Sequence, residues 1–367
     1  MNDKKVIIAG GGLIGCAIAW RLAQRGASVQ VVESARPGMA ASWAAAGMLA
    51  PLIEAHHKEL GALARASIAQ FPDFVRELRE ASGIDAELQL SGKIDIAFDD
   101  AELAVMRSRY GSSIPDGVQQ ISADEILTVE PNIASSIAGG LLAHGDGSVD
   151  TRKLMRAAWL AASNAGVQFR TGSSVREVLC SRNGFEAVNL STGERLEGDA
   201  VVIAAGAWSS SIRGLPLQLP VFPVRGQIVA LERIPRALSH LVMSTQCYIV
   251  PRSDGRVLIG STMERAGFDP RTTAQGVSSL LNAAIHAVPA LADASVSDSW
   301  AGLRPGTSDD MPILGADPRA DRVYYATGHF KNGILLAAAT ADAIADVVNG
   351  APARFDIRAF SVARFHE

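Results

Sequence analysis

The feature that most constrains this chain is a glycine triplet set between a strand-like and a helix-like run. Lys5 to Ala9 is short, apolar and β-branched, Gly10, Gly11 and Gly12 follow, and Leu13 to Gln24 then carries apolar residues at helical spacing. Gly26 ends the helix, and Ser28 to Val32 is a second β-rich run closing on Glu33. A strand, helix, strand unit of this size implies parallel strands joined by a right-handed crossover. Within it Gly10, Gly12 and Gly15 read G-x-G-x-x-G. Gly10 permits a tight turn, Gly12 lets backbone N–H groups approach a pyrophosphate, and Gly15 lets helix and strand pack closely. The free N–H groups and positive end of the helix favour phosphate. A carboxylate at Glu33 is placed to accept hydrogen bonds from ribose hydroxyls and to repel a 2′-phosphate. The pattern predicts a dinucleotide site without separating FAD from NAD.

Two further features favour FAD. The nucleotide module needs remote pieces of chain, including Ala200 to Gly206 and Tyr324 to Leu336, whereas an NAD domain is usually continuous. After the second strand there is also a small-residue tract, Ala40 to Met48, that lets backbone approach something flat and bulky.

Composition narrows the remaining classes. The 367 residues carry 34 Lys plus Arg against 38 Asp plus Glu, a formal net charge of −4 with no basic run, which disfavours a nucleic-acid partner. Cys16, Cys180 and Cys247 are odd in number and lack CxxC spacing, so neither a disulfide framework nor a metal site is expected. The apolar stretch from Val6 to Trp20 superficially resembles a signal peptide. Four internal glycines, the arginines that follow and its short length argue against both a leader and a membrane span, so a soluble, cytoplasmic chain is expected.

The expected fold class is α/β: a Rossmann-like, discontinuous FAD-binding domain with a second domain built on an antiparallel sheet. Strands are predicted at Val167 to Arg170, Gly184 to Leu190 and Ala200 to Ala204, and helices at Thr151 to Ala165 and Ile334 to Val348. Lys93 to Phe98, Gln227 to Leu231, Cys247 to Val250 and Val257 to Ile259 have the texture of an antiparallel sheet, with a turn at Ser253-Asp254-Gly255. The predicted partition is 1–85, 146–218 and 300–367 for the FAD-binding domain, with 86–145 and 219–299 for the substrate-binding domain.

Beyond the triplet, SWAAAGMLAP (Ser42 to Pro51), GSTME with GFD (Gly260 to Asp269), GLRPGTSDDMPILG (Gly302 to Gly315) and GHFKNGILLA (Gly328 to Ala337) resemble the D-amino acid oxidase family of FAD enzymes. The likeness is strongest to the branch that oxidises glycine for thiamin biosynthesis, and it extends to FDIRAFSVARF (Phe355 to Phe365). It implies hydride transfer from an amino acid α-carbon to flavin N5, hydrolysis of the imine, and reoxidation by dioxygen to hydrogen peroxide. It also implies a homo-oligomer, a tetramer in close relatives. A same-fold dehydrogenase with another electron acceptor, and a non-catalytic flavin subunit of a complex, stay open.

By that resemblance the substrate carboxylate is met by Arg304, assisted by Tyr248, with Met263 lining the flavin face and Lys331 at a position where the branch usually has Arg. Each has a plainer alternative: a surface salt bridge for Arg304, half-buried packing for Tyr248, gap-filling for Met263, a solvated side chain for Lys331. Non-covalent FAD is assigned to Gly10, Gly12, Leu13, Ile14, Gly15, Glu33, Ser42, Ala46, Gly47, Met48, Val175, Gly206, Trp208, His329, Lys331, Asn332, Gly333 and Ile334. Of the other histidines, His56 and His57 lie near the flavin tract without ligand spacing, and His144, His240, His286 and His366 are read as surface residues. Cys16 is read as packing, and no buried general base is evident.

Overall fold

The computed structural model describes residues 4–51, 57–108, 114, 116–234 and 238–366. Its centre is a six-stranded sheet in the order Ile313–Ala316, Val323–Thr327, Ala200–Ile203, Lys5–Ala9, Ser28–Glu33, Gln168–Thr171. All neighbours are parallel except the first pair. Ala200–Ile203 is apolar at every position and Lys5–Ala9 at all but its first, because both faces of the central strands are covered. Val6 and Ile8 pack into a helical layer of Leu13–Gln24, Lys58–Ser82, Thr151–Asn164 and Ala337–Val348, while Ile7 and Ala9 pack against the small antiparallel sheet of Val175–Ser181, Gly184–Leu190 and Arg195–Glu197.

A second sheet has eight strands: Ser295–Gly306, Phe222–Glu232, Val257–Gly260, Tyr248–Pro251, Leu241–Met243, Lys93–Ala97, Gly139–Ala143 and Val118–Ser122. It is antiparallel apart from the Leu241–Met243 and Lys93–Ala97 pair. The helix Ala274–Ala287 seals one face through Leu280, Ala284 and Ala287.

Several expectations change. Ser295–Gly306 pairs along its length with Phe222–Glu232, so the boundary expected at 299/300 falls inside a strand, and residues 300–306 belong to the eight-stranded sheet. The last helix begins at Ala337 rather than Ile334, because Gly333 to Leu336 form turns first. Lys58–Ser82, a helix of 25 residues, was not anticipated; it carries Pro72 in its interior and is held by buried Phe71, Phe74 and Leu78. His240 is not a plain surface residue, since its Nδ1 lies 2.7 Å from Oε1 of the buried Glu130. His286 is exposed and stacks on Phe98, and His56 lies outside the described residues. Among the described residues no helix is long and apolar enough to cross a membrane.

Candidate active site

A cavity of about 930 Å³ opens where the parallel strands end and reaches across to the eight-stranded sheet. Ala9, Val32, Ala204 and Thr327, all at carboxyl ends of strands, line it, the usual position for a ligand in an open parallel sheet.

At one end lies the glycine turn. Gly10 has φ of +111°, and a Cβ there would come within 2.4 Å of Ala204 O. A Cβ on Gly15 would stand 2.0 Å from Gly10 O, so this glycine sits beneath the turn and is the one expected cofactor residue that does not line the cavity. Leu13 N–H donates to Ser42 Oγ at 3.0 Å. The N–H groups of Gly12 and Ile14 take no acceptor among the described residues, and both residues line the cavity. Glu33 is fixed by Gly11 N–H at 2.8 Å and by Ser34 Oγ and Ala35 N–H at 3.0 Å, with its carboxylate on the cavity wall.

Ser42, Ala46, Gly47, Met48, Val175, Gly206 and Trp208 also line the cavity. The loop after Val323–Thr327 supplies His329, Lys331, Asn332, Gly333 and Ile334. His329 is buried with Nε2 3.1 Å from Thr340 Oγ1, and burial pushes its imidazole down to about 3, so it is neutral at ordinary pH. Lys331 is exposed on the wall. Asn332 is buried, yet its Nδ2 has no partner among the described residues. A buried amide donor left open in a cavity calls for an acceptor. Together with the uncovered turn N–H groups and the Glu33 carboxylate it fits FAD, whose pyrophosphate, ribose and ring edges are all acceptor- or hydroxyl-bearing.

At the far end, Arg304 is delivered by Ser295–Gly306 opposite Val224, and it passes over Gly226, where a Cβ would be 2.1 Å from Arg304 Nη1. Its Nη1 donates to Thr262 O at 3.1 Å and Nη2 to Ser261 Oγ. No carboxylate pairs with it among the described residues, so the surface salt bridge does not form. Tyr248 lies across Gly260, where a Cβ would meet its Cζ and Oη at 2.4 Å, and its hydroxyl takes no hydrogen-bond partner among the described residues. Arg304 and Tyr248 thus converge on the segment from Gly260 to Thr262, a guanidinium and a hydroxyl facing one cavity. Met263 is two-thirds exposed on the wall, which removes the gap-filling alternative. Trp208 also stands on the wall, its ring 5.6 Å from that of Phe268, a residue sequence reasoning did not single out.

Among the described residues no cluster of His, Cys, Asp and Glu could hold a metal ion. All three cysteines are free, and Cys16 is buried with Sγ 3.4 Å from Gly11 O. The carboxyl of Asp146, raised to about 7 mainly by burial, lies outside the cavity.

Comparison with known proteins agrees with the geometry. The family described as FAD dependent oxidoreductase (DAO) matches residues 5–347. The chain belongs to this family. It is therefore an FAD-dependent oxidoreductase, with its cofactor in the mixed α/β fold described above. It is similar to the glycine oxidase of Geobacillus kaustophilus, at 37% identity over 98% of this chain and 96% of that protein. The crystal structure of glycine oxidase from Geobacillus kaustophilus superposes with a TM-score of 0.91 over 98% of this chain and 99% of that one, at 36% identity. The bifunctional protein ThiO/ThiG of Synechocystis is 35% identical over 99% of this chain and 54% of its own length. Hydrogen cyanide synthase subunit HcnC of Pseudomonas aeruginosa is 31% identical over 98% of this chain and 96% of its own.

Proposed function

We propose that this enzyme oxidises glycine, sarcosine or a small D-amino acid to the oxo acid, releasing ammonia or an amine. The observation that carries the reading is Arg304, a guanidinium on the cavity wall with no carboxylate partner among the described residues and a tyrosine hydroxyl lining the same cavity. Its fork matches the two oxygens of a substrate carboxylate and stays charged at any working pH. Tyr248 Oη adds a third donor, and the two together fix which face of the α-carbon is presented. The likeness to glycine oxidases along the whole chain supports an amino acid as the substrate.

The turn N–H groups of Gly12 and Ile14 would take the pyrophosphate over Gly10 and Gly15, with Leu13 N–H held by Ser42, and Glu33 would take the ribose. Ser42, Ala46, Gly47, Met48, Val175, Gly206 and Trp208 would flank the rest of the cofactor, and Asn332, Gly333 and Ile334 its pyrimidine edge beside neutral His329. FAD supplies, when bound, a hydride acceptor at N5 and a route to dioxygen that yields hydrogen peroxide. Lys331, on the same wall, would bias carboxylate binding, and Met263 would pack beside the substrate. No side chain is assigned as base: the amine binds neutral or gives its proton to water. We assign residues 1–85, 146–218 and 307–367 to the FAD unit and 86–145 and 219–306 to the substrate unit. The resemblance further supports a cytoplasmic homo-oligomer, and the ThiO/ThiG relative a place in thiamin biosynthesis.

Anaerobic addition of glycine, sarcosine, D-alanine and D-proline to the yellow protein tests this. Bleaching by at least one, followed by recolouring in air with peroxide release, is the expected result. A second reading is transfer of electrons to an acceptor other than dioxygen. It predicts bleaching that air does not reverse. No bleaching by any of the four overturns the proposed substrates, and a non-catalytic flavin subunit is then among the readings left.

A further inference from the structure

Four consecutive carbonyls of the tract along the cavity are each held by a donor from elsewhere in the chain. Trp300 Nε1 donates to Ala44 O at 2.9 Å, Thr151 Oγ1 to Ala45 O at 2.8 Å, Arg252 Nη2 to Ala46 O at 2.8 Å, and Val149 N–H to Gly47 O at 2.9 Å. Arg252 is itself braced, its Nη1 donating to Val149 O at 2.7 Å. Trp300 lies 5.8 Å from Trp43, and the Arg152 guanidinium covers both rings at 4.6 and 3.9 Å. The approach is close enough that a Cβ on Gly302 would stand 2.5 Å from Ala44 Cβ, and one on Gly47 2.0 Å from Val149 O.

A peptide unit joins the carbonyl of one residue to the N–H of the next. The units capped by Thr151 and Arg252 therefore end in the N–H groups of Ala46 and Gly47. Neither N–H has an acceptor among the described residues, and both residues line the cavity. A hydrogen bond accepted at the carbonyl polarises the amide and strengthens the N–H at its other end as a donor. A guanidinium does this more than a hydroxyl. Neither Thr151 nor Arg252 lines the cavity, so neither touches its contents directly, and these amides are the groups that join them to it. The cap on Ala44 O differs: its unit ends in Ala45 N–H, which already donates to Ala41 O at 3.1 Å.

We infer that Arg252 and Thr151 are positioning residues that aim and polarise the Ala46 and Gly47 N–H groups toward an electron-rich edge of bound FAD, favouring its reduced form. The inference rests on FAD lying beside this tract. It does not depend on which amino acid is oxidised.

The test is the two-electron reduction potential of the holoenzyme, measured anaerobically by dye equilibration, with sulfite affinity as a second readout. Arg252→Met is expected to disfavour reduction about tenfold, ~30 mV for a two-electron couple, and to weaken sulfite binding by a similar factor. Arg252→Lys should recover most of the loss, and Thr151→Val should shift both readouts the same way by a smaller factor. Trp300→Phe should lower thermal stability and leave the potential at the wild-type value. Wild-type potentials in both Arg252→Met and Thr151→Val overturn the proposal, as does a shift in Trp300→Phe equal to that in Arg252→Met. Should Arg252→Met not retain FAD, Arg252→Lys against Thr151→Val decides. The potential is read without any amino acid, so a failed substrate panel and a failed polarisation test are separate results.

Discussion

At the phosphate end of the cavity the groups on offer are the N–H groups of Gly12 and Ile14 and the carboxylate of Glu33, all from the first 33 residues. At the substrate end they are the side chains of Arg304 and Tyr248, carried by separate strands of another sheet. The first end is made of backbone geometry, so a change there alters the shape of the turn itself. The second is made of side-chain heads on a frame that survives their removal. Damage at the phosphate end should abolish cofactor retention, and damage at the substrate end should spare it.

The largest expected effect tests the first half. Gly15→Ala places a methyl 2.0 Å from Gly10 O, and backbone cannot yield as a flexible side chain does. A loss of ~3 kcal/mol or more is expected, read as a lower melting temperature and protein purified without yellow colour. A stable, fully flavinated variant would break the comparison. At the other end, Arg304→Ala should bind FAD normally while kcat/KM falls by on the order of 2 to 4 kcal/mol. Loss of flavin from Arg304→Ala would mean that the two ends are not separable.

His329, on the wall of the same cavity, gives a pH signature. Its pKa falls from 6.5 to about 3 on folding, because burial disfavours the imidazolium. The unfolded chain therefore binds the proton more readily, so this contribution is complete above pH 6.5 and is lost as pH falls toward 3. Between pH 7 and pH 5 about 2 kcal/mol should disappear, measured by denaturation at each pH, and His329→Asn should flatten that slope. The smallest expected effect is at Lys331: Lys331→Arg should change the ratio of glycine to sarcosine turnover by a few-fold and leave FAD retention alone. An unchanged ratio would return Lys331 to the solvent.

The contrast between the ends also explains what could be read in advance. The strand, turn and helix from Lys5 to Glu33 are specified by neighbours in sequence, and their limits fall where the pattern puts them. Ser295–Gly306 escaped notice because Gly302, Pro305 and Gly306 interrupt a strand pattern, and only its register with Phe222–Glu232 holds it extended. Pro72 hid Lys58–Ser82 in the same way, since a helix-breaking residue outweighs local periodicity until Phe71 and Phe74 are seen to be buried. At Ile334 the apolar spacing continues through the turns that precede Ala337, and composition does not distinguish them from helix. The roles proposed for Arg304 and Tyr248 are reachable through family motifs, but that of Arg252 is not: the carbonyl it caps is 206 residues away.

The order of strands in the parallel sheet has a consequence for how the protein is made. Ala200–Ile203 is buried at every position and needs Lys5–Ala9 on one side and Val323–Thr327 on the other. Between its synthesis and that of Val323–Thr327 the ribosome must deliver the strands from Phe222 to Gly306. For that interval the nascent chain holds an apolar, unpaired strand edge, the kind of surface on which chains pair with one another. Holdase protection is therefore expected to matter most while those residues are being made, rather than after release.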